Sequence, residues 1–159
     1  MAYLIDGNNF IGYLSPSFLK DPRSKQALIS QLLVFNRQKR TKIYLVFDGP
    51  PLQDLETKKL REESLSIIYP GIDEDADRVI KRIIEKQTDL RRFSVVSSDR
   101  EIRRFAKTKG ARSLSCKDFH RLLKASLREY RKDLETKKKD IALSPLEVDH
   151  WIDIFGPKK

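Results

Sequence analysis

Carboxylates fall at four points of this sequence where an acid can do chemistry: Asp6, Asp48, the run Asp73-Glu74-Asp75-Ala76-Asp77, and Asp99. Each has an ordinary structural account. Asp48 precedes Gly49 and suits a turn, Asp73 and Asp99 suit helix N-caps, and acids in a first helical turn favour the dipole. Capping does not account for the density at 73–77. Glu74 and Asp77 are three apart and Asp73 and Asp77 four apart, so each pair shares a helical face if the helix begins that early. Like charges at that spacing cost roughly a few tenths of a kcal/mol, and more where further carboxylates converge. A bound divalent cation is the simplest compensation. An all-oxygen donor set without His or Cys favours a hard ion, Mg²⁺ or Mn²⁺. Such a site activates water and stabilises a leaving oxygen.

The elements that must position these acids are legible from periodicity. Tyr3, Leu4 and Ile5 form an apolar run that stops on Asp6-Gly7-Asn8-Asn9, which predicts a buried strand with Asp6 at its carboxyl end and an Asx-rich turn after it. Gly7 allows a sharp turn and clears space beside the acid. Residues 11–22 read as a loop with Pro16 and Pro22, and Asp21 with Pro22 opens a helix. Lys42 to Phe47 is a second buried strand and again ends in Asp-Gly, at Asp48-Gly49. A parallel right-handed crossover puts Asp6 and Asp48 on one sheet edge. Residues 52–63 are polar and read as a loop or short helix. Leu65 to Tyr69 is a third strand. Ala76, Val79, Ile80, Ile83 and Ile84 mark a helix, and Phe93 to Val96 a fourth strand. Another helix starts near Ile102 and stops at Gly110, and residues 112–115 make a short fifth strand. A long amphipathic helix spans 117–138. Ser144-Pro145-Leu146-Glu147 starts a tail helix that Trp151 anchors by packing. Alternating strands and helices predict one α/β domain with a mostly parallel sheet over 1–139, followed by a tail helix at 140–159.

The composition narrows the partners. The chain has 159 residues and a net charge of +10, unevenly placed. Residues 1–99 carry 16 Lys/Arg against 14 Asp/Glu, and residues 100–139 carry 15 against 5. So local an excess is the electrostatic footprint of a polyanion. One cysteine, Cys116, provides neither a disulfide nor a metal cluster, and an intracellular, cytoplasmic location is expected. Neither a membrane span nor a leader is expected. No phosphate-cradling G-x-x-x-x-G-K-[ST] or G-x-G-x-x-G motif occurs, so no nucleotide cofactor is expected. His120 and His150 have no Ser or Cys nucleophile at a suggestive spacing.

Four motifs in order, Leu4-Ile5-Asp6-Gly7-Asn8-Asn9, Val46-Phe47-Asp48-Gly49, Glu74-Asp75-Ala76-Asp77-Arg78-Val79-Ile80 and Val95-Val96-Ser97-Ser98-Asp99-Arg100-Glu101-Ile102, resemble the YacP-like branch of the NYN domains in the PIN-like nuclease superfamily. The resemblance covers roughly residues 2–135. It implies a three-layer α/β/α sandwich and a Mg²⁺- or Mn²⁺-dependent endoribonuclease, in a branch that includes an enzyme acting on mRNA at the ribosome. It further implies that Asp6, Asp77 and Asp99 are the metal-binding catalytic carboxylates, with Glu74 as a further ligand. Asn8 and Asp48 would support them, and Ser97 or Ser98 would orient substrate or a water of the metal. With RNA (mRNA or rRNA) as the polyanion, Arg100, Arg103, Arg104, Lys117, Arg121, Lys124 and Arg128 are the candidates to grip it.

Two rivals belong to other classes. A non-cleaving RNA- or ribosome-binding module also explains the basic segment, but has no use for the acids. A haloacid-dehalogenase-type phosphatase also begins with a strand ending in Asp. There the acid two positions later is the general acid, and Asn8 cannot serve as one.

Overall fold

The computed structural model describes residues 1–49 and 64–137. The segment 52–63 and the tail helix, with the domain division at 139–140, therefore lie outside the described residues. Five strands form one sheet: β1 (Ala2–Asp6), β2 (Lys42–Val46), β3 (Leu65–Ile68), β4 (Phe93–Val96) and β5 (Arg112–Leu114). Their order is β3-β2-β1-β4-β5, and every pairing is parallel. The first strand is thus the central one. Asp6 aligns with Val46 on one side, and Ile5 aligns with Val96 on the other. The chain winds outward from β1 to β3, then returns to the far side of β1 with β4. This reversal leaves a crevice at the carboxyl ends of β1 and β4, the place where doubly wound sheets bind ligands.

Helices cover both faces, as a buried parallel sheet requires. One layer holds α1 (Gly7–Leu14), α2 (Pro22–Lys39) and α5 (Cys116–Lys137); the other holds α3 (Ala76–Lys86) and α4 (Arg100–Lys109). The alternation of β1 divides the core. Tyr3 and Ile5 join the first layer, and Leu4 joins the second. The expected three-layer α/β/α architecture is therefore the one present. An aromatic cluster locks the first layer: Tyr3 meets Phe35 at 5.4 Å, and Phe119 meets Phe35 at 5.4 Å and Phe10 at 5.6 Å between ring centres. Among the described residues, no helix is long and apolar enough to cross a membrane.

One stretch departs from expectation. Residues 7–20 are not a turn and loop; they form α1 and a 3₁₀ helix over Pro16–Lys20. Asp6 caps α1 by accepting the Asn9 N–H, and burial of Phe10 and Ile11 holds the short helix to the core. Asp21 with Pro22 does open α2, whose cap bond runs from the Arg23 N–H.

Gly7 has no unusual backbone angle. It is needed because a Cβ there would lie 2.6 Å from two ring carbons of the buried Phe47 and 2.9 Å from the Val46 carbonyl oxygen. Alanine is the better helix former by about 1 kcal/mol, but overpacking against a fixed carbonyl costs about 1–3 kcal/mol. Gly7→Ala is therefore expected to destabilise the protein in urea melts. A midpoint equal to wild type would show that the Phe47 ring yields freely.

Candidate functional site at the β1–β4 switch point

The centre of the site is the Asp6 carboxylate, which is 7% exposed. It receives the Asn9 backbone N–H at 3.5 Å and the Ser97 hydroxyl at 3.3 Å. Among the described residues it has no ion-pair partner. Burial raises its pKa to about 6; the Asn9 and Ser97 hydrogen bonds work against this rise, while the nearby charges of Asp77 and Asp99 add to it. Asp77, in the first turn of α3, is likewise raised, first by burial and then by Asp99, Asp75 and Glu101, with Lys81 opposing. The charges of Asp77 and Asp99 thus reach Asp6, and that of Asp99 reaches Asp77.

They do not form a ready-made chelate. Among the described residues, no three His, Cys, Asp or Glu side chains are gathered so as to hold an ion by themselves. The reasons are local. Asp99 caps α4, accepting the N–H groups of Glu101 at 2.9 Å and Ile102 at 3.2 Å through one oxygen. Glu74, expected as a further ligand, is gripped by both terminal nitrogens of Arg82, one of them at 3.1 Å, and this pairing lowers its pKa. The helix also starts later than expected: Asp75, not Asp73, is the cap of α3, through the Arg78 N–H at 2.9 Å. Glu74 and Asp77 therefore do not share a helical face.

The supporting amides exchange roles. Asn8, expected beside Asp6, accepts the Asp48 backbone N–H at 2.8 Å and ties the exposed end of β2 to α1. Asn9 is the hub. Its Oδ1 accepts the Ser98 N–H at 2.8 Å and the Cys116 thiol at 3.2 Å, and lies 3.5 Å from the Ser97 hydroxyl, where it competes with Asp6 for that group's one proton. Ser97 is buried and its Oγ also accepts the Asp99 N–H at 3.1 Å, so it links two of the acids. Ser98 is exposed and contributes its backbone. The pattern that identifies Asn9 is present in the sequence: a capping Asp is bonded by the residue three positions on. Burial raises the Cys116 thiol, and its Ser98 contacts pull the other way.

The basic candidates are divided between layers. Arg100, Arg103 and Arg104 lie on α4, which starts directly behind Asp99; Lys117, Arg121, Lys124 and Arg128 lie on α5, in the opposite layer.

An oxygen-only donor set with a buried and uncompensated carboxylate fits a hard divalent cation. Mg²⁺ keeps several waters and takes one or two protein carboxylates rather than a full protein cage. Asp6 and Asp77 are carboxylates without an ion-pair partner among the described residues, whereas Glu74 is paired with Arg82.

A doubly wound sheet with acids at its switch point defines the class: an α/β domain with a crevice at the carboxyl ends of β1 and β4, where folds of this type bind ligands. A family model described as the YacP-like NYN domain matches residues 3–153. The chain belongs to this family, whose NYN domains are typically nucleases and generally use divalent metals. The match extends past the four motifs and takes in Trp151. The fold is similar to that of Rae1 (YacP) from Bacillus subtilis, with a TM-score of 0.71 at 22% identity over 86% of this chain and 80% of that one. A tryptophan-to-leucine mutant of the same protein gives a TM-score of 0.69 at 19% identity over 98% and 92%. No curated protein matches the sequence.

The raised Asp6 pKa has a definite sign in stability. Between its unfolded value near 4 and about 6, the folded state binds more protons, so stability falls as pH rises through that window. The loss amounts to about 3 kcal/mol. Asn serves equally well as an N-cap. In EDTA, Asp6→Asn is therefore expected to melt higher than wild type at pH 8 and to match it near pH 4. Added Mn²⁺ should raise the wild-type melting temperature and leave that of Asp6→Asn unchanged. A pH-independent difference between the two proteins would contradict the burial of this charge.

Proposed function

We propose that this protein is a Mg²⁺- or Mn²⁺-dependent endoribonuclease that hydrolyses RNA phosphodiesters at the β1–β4 edge. The observation that carries this reading is the buried Asp6 carboxylate, which feels the charges of two further acids and, among the described residues, has no cationic side chain paired with it. Asp6 and Asp77 are the residues to hold the ion, and Asp99 completes the negative wall. The ion, when bound, supplies Lewis-acid polarisation of the phosphate and lowers the pKa of water.

The chain's own groups provide the positioning. Ser97 and the Asn9 N–H fix both Asp6 oxygens, so the carboxylate presents one geometry. Asn9 holds the β4 end against α1 through Ser98. Asn8 and Asp48 fix the neighbouring strand end. The net charge of +10 draws a polyanion to this edge. RNA follows from the family. The resemblance to YacP-like enzymes points further, to mRNA on the ribosome, with a cytoplasmic location.

A second reading is a non-cleaving RNA- or ribosome-binding module. It is favoured by the lack, among the described residues, of a preformed chelating group. Calorimetric titration with Mn²⁺ separates the two, since a binder need take up no ion.

The decisive test is incubation of labelled RNA and DNA with the protein, with and without Mn²⁺, beside EDTA and Asp6→Asn. RNA cleavage should need the ion, and Asp6→Asn should lower it on the order of 10²–10³-fold while RNA affinity stays near wild type. Cleavage that survives both the substitution and EDTA would sink the proposal.

A further inference from the structure

Helix α4 leaves the candidate site directly behind Asp99. Arg100, Arg103, Arg104 and Lys107 recur along it at i, i+3, i+4 and i+7, and with Thr108 they line an open groove of about 440 Å³. Among the described residues no acid lines this groove. The one acid of the helix, Glu101, is ion-paired at 2.6 Å with Lys81 of α3, and Lys109 reaches Glu85 of α3 at 4.0 Å. Among the described residues Arg100, Arg104 and Lys107 have no ion-pair partner, and Arg103 is steadied by the Ser113 hydroxyl at 3.3 Å. Aligned like charges repel, so this face lacks internal compensation.

Cys116–Lys137 carries seven Lys/Arg against four Asp/Glu over 22 residues. Arg100–Lys109 carries five against one over 10 residues. The long helix supplies length, but α4 is the denser source of positive charge, and its N-cap is Asp99 of the acidic edge.

We infer that the outer face of α4 is a phosphate track, along which the backbone of a single-stranded RNA runs away from the bond to be cut. This rests on the nuclease reading of the Asp6 edge. From Arg100 to Lys107 the track is about 10 Å long, and its guanidinium groups suit bidentate phosphate contacts. Among the described residues no aromatic ring lines the groove. Phe105, the aromatic residue of α4, has Lys81 at 5.6 Å and Lys109 at 5.4 Å over its ring. The Thr108 hydroxyl is engaged by the Arg104 carbonyl at 2.9 Å. The track therefore has no base-stacking platform. It sets the register of the strand and leaves its sequence unread.

The test uses the full chain in EDTA, with fluorescent oligo-U and oligo-A RNAs of about twelve nucleotides, titrated over a range of salt. Arg104→Gln/Lys107→Gln is compared with Lys124→Gln/Arg128→Gln on α5, and Arg100→Gln serves as an independent variant. The α4 pair should weaken both RNAs alike, by about tenfold, and flatten the slope of log K against log salt by about 1.4. The α5 pair should change both quantities less. Wild-type affinity and slope in the α4 variants, or a larger loss in the α5 pair, would overturn the track. Cleavage of the same RNAs in Mn²⁺ is read separately. Binding through α4 without cleavage by wild type would overturn the nuclease reading and keep the track; cleavage with unchanged binding in the α4 variants would overturn the track alone.

Discussion

A negative charge at the centre of a parallel sheet is the constraint around which this molecule is built. Asp6 ends the middle strand, where both neighbouring strands and two helical layers exclude water. Burial disfavours the ionised form more than its two hydrogen bonds favour it, which is why its pKa lies so far above an ordinary carboxylate. The same side chain also caps α1. One group therefore starts a helix and concentrates charge at the crevice. An apolar residue there would remove the buried charge and leave α1 without its side-chain cap.

The surroundings of Asp6 are held by packing some distance away. Phe119 meets Phe10 and Phe35 and seats α5 against α1 and α2. That seating brings Cys116, the first residue of α5, within 3.2 Å of Asn9. Asn9 in turn holds Ser98, and Ser97 holds Asp6. Aromatic packing in one layer is thereby translated into the orientation of a carboxylate at the sheet edge. The Cys116 thiol, buried and raised in pKa, acts here as a weak donor and not as a nucleophile.

Most of the architecture could be read from residue order, because buried strands and amphipathic helices leave opposite periodicities. Lys42–Val46 and Phe93–Val96 are continuous apolar runs with few polar interruptions, and α3 shows a clean apolar stripe. The short helix α1 was not legible, because Gly-Asn-Asn has the composition of a turn and the burial of Phe10 and Ile11 is a tertiary fact. Choosing the cap among Asp73, Glu74 and Asp75 was likewise beyond local preference, since all three suit a first turn. The Glu74–Arg82 pair, eight residues apart, needed the helix start to be known first. The exchange of Asn8 for Asn9 has the same origin: once Asp6 is a cap, the third residue beyond it faces the carboxylate.

The strand order also governs when the pocket can exist. β1 is the first element of the sheet to be synthesised, yet its far-side partner β4 begins at Phe93, and the Ser97–Asp6 hydrogen bond spans 91 residues. Closing so long a loop is an entropic cost that local helices cannot offset early. A nascent chain emerging in order can pair β1 with β2 and β2 with β3, but its acidic edge stays half-walled until β4 and α5 dock. Assembly of the crevice is thus a late event in biosynthesis, and the acids around it stay apart until the chain has been made as far as Asp99.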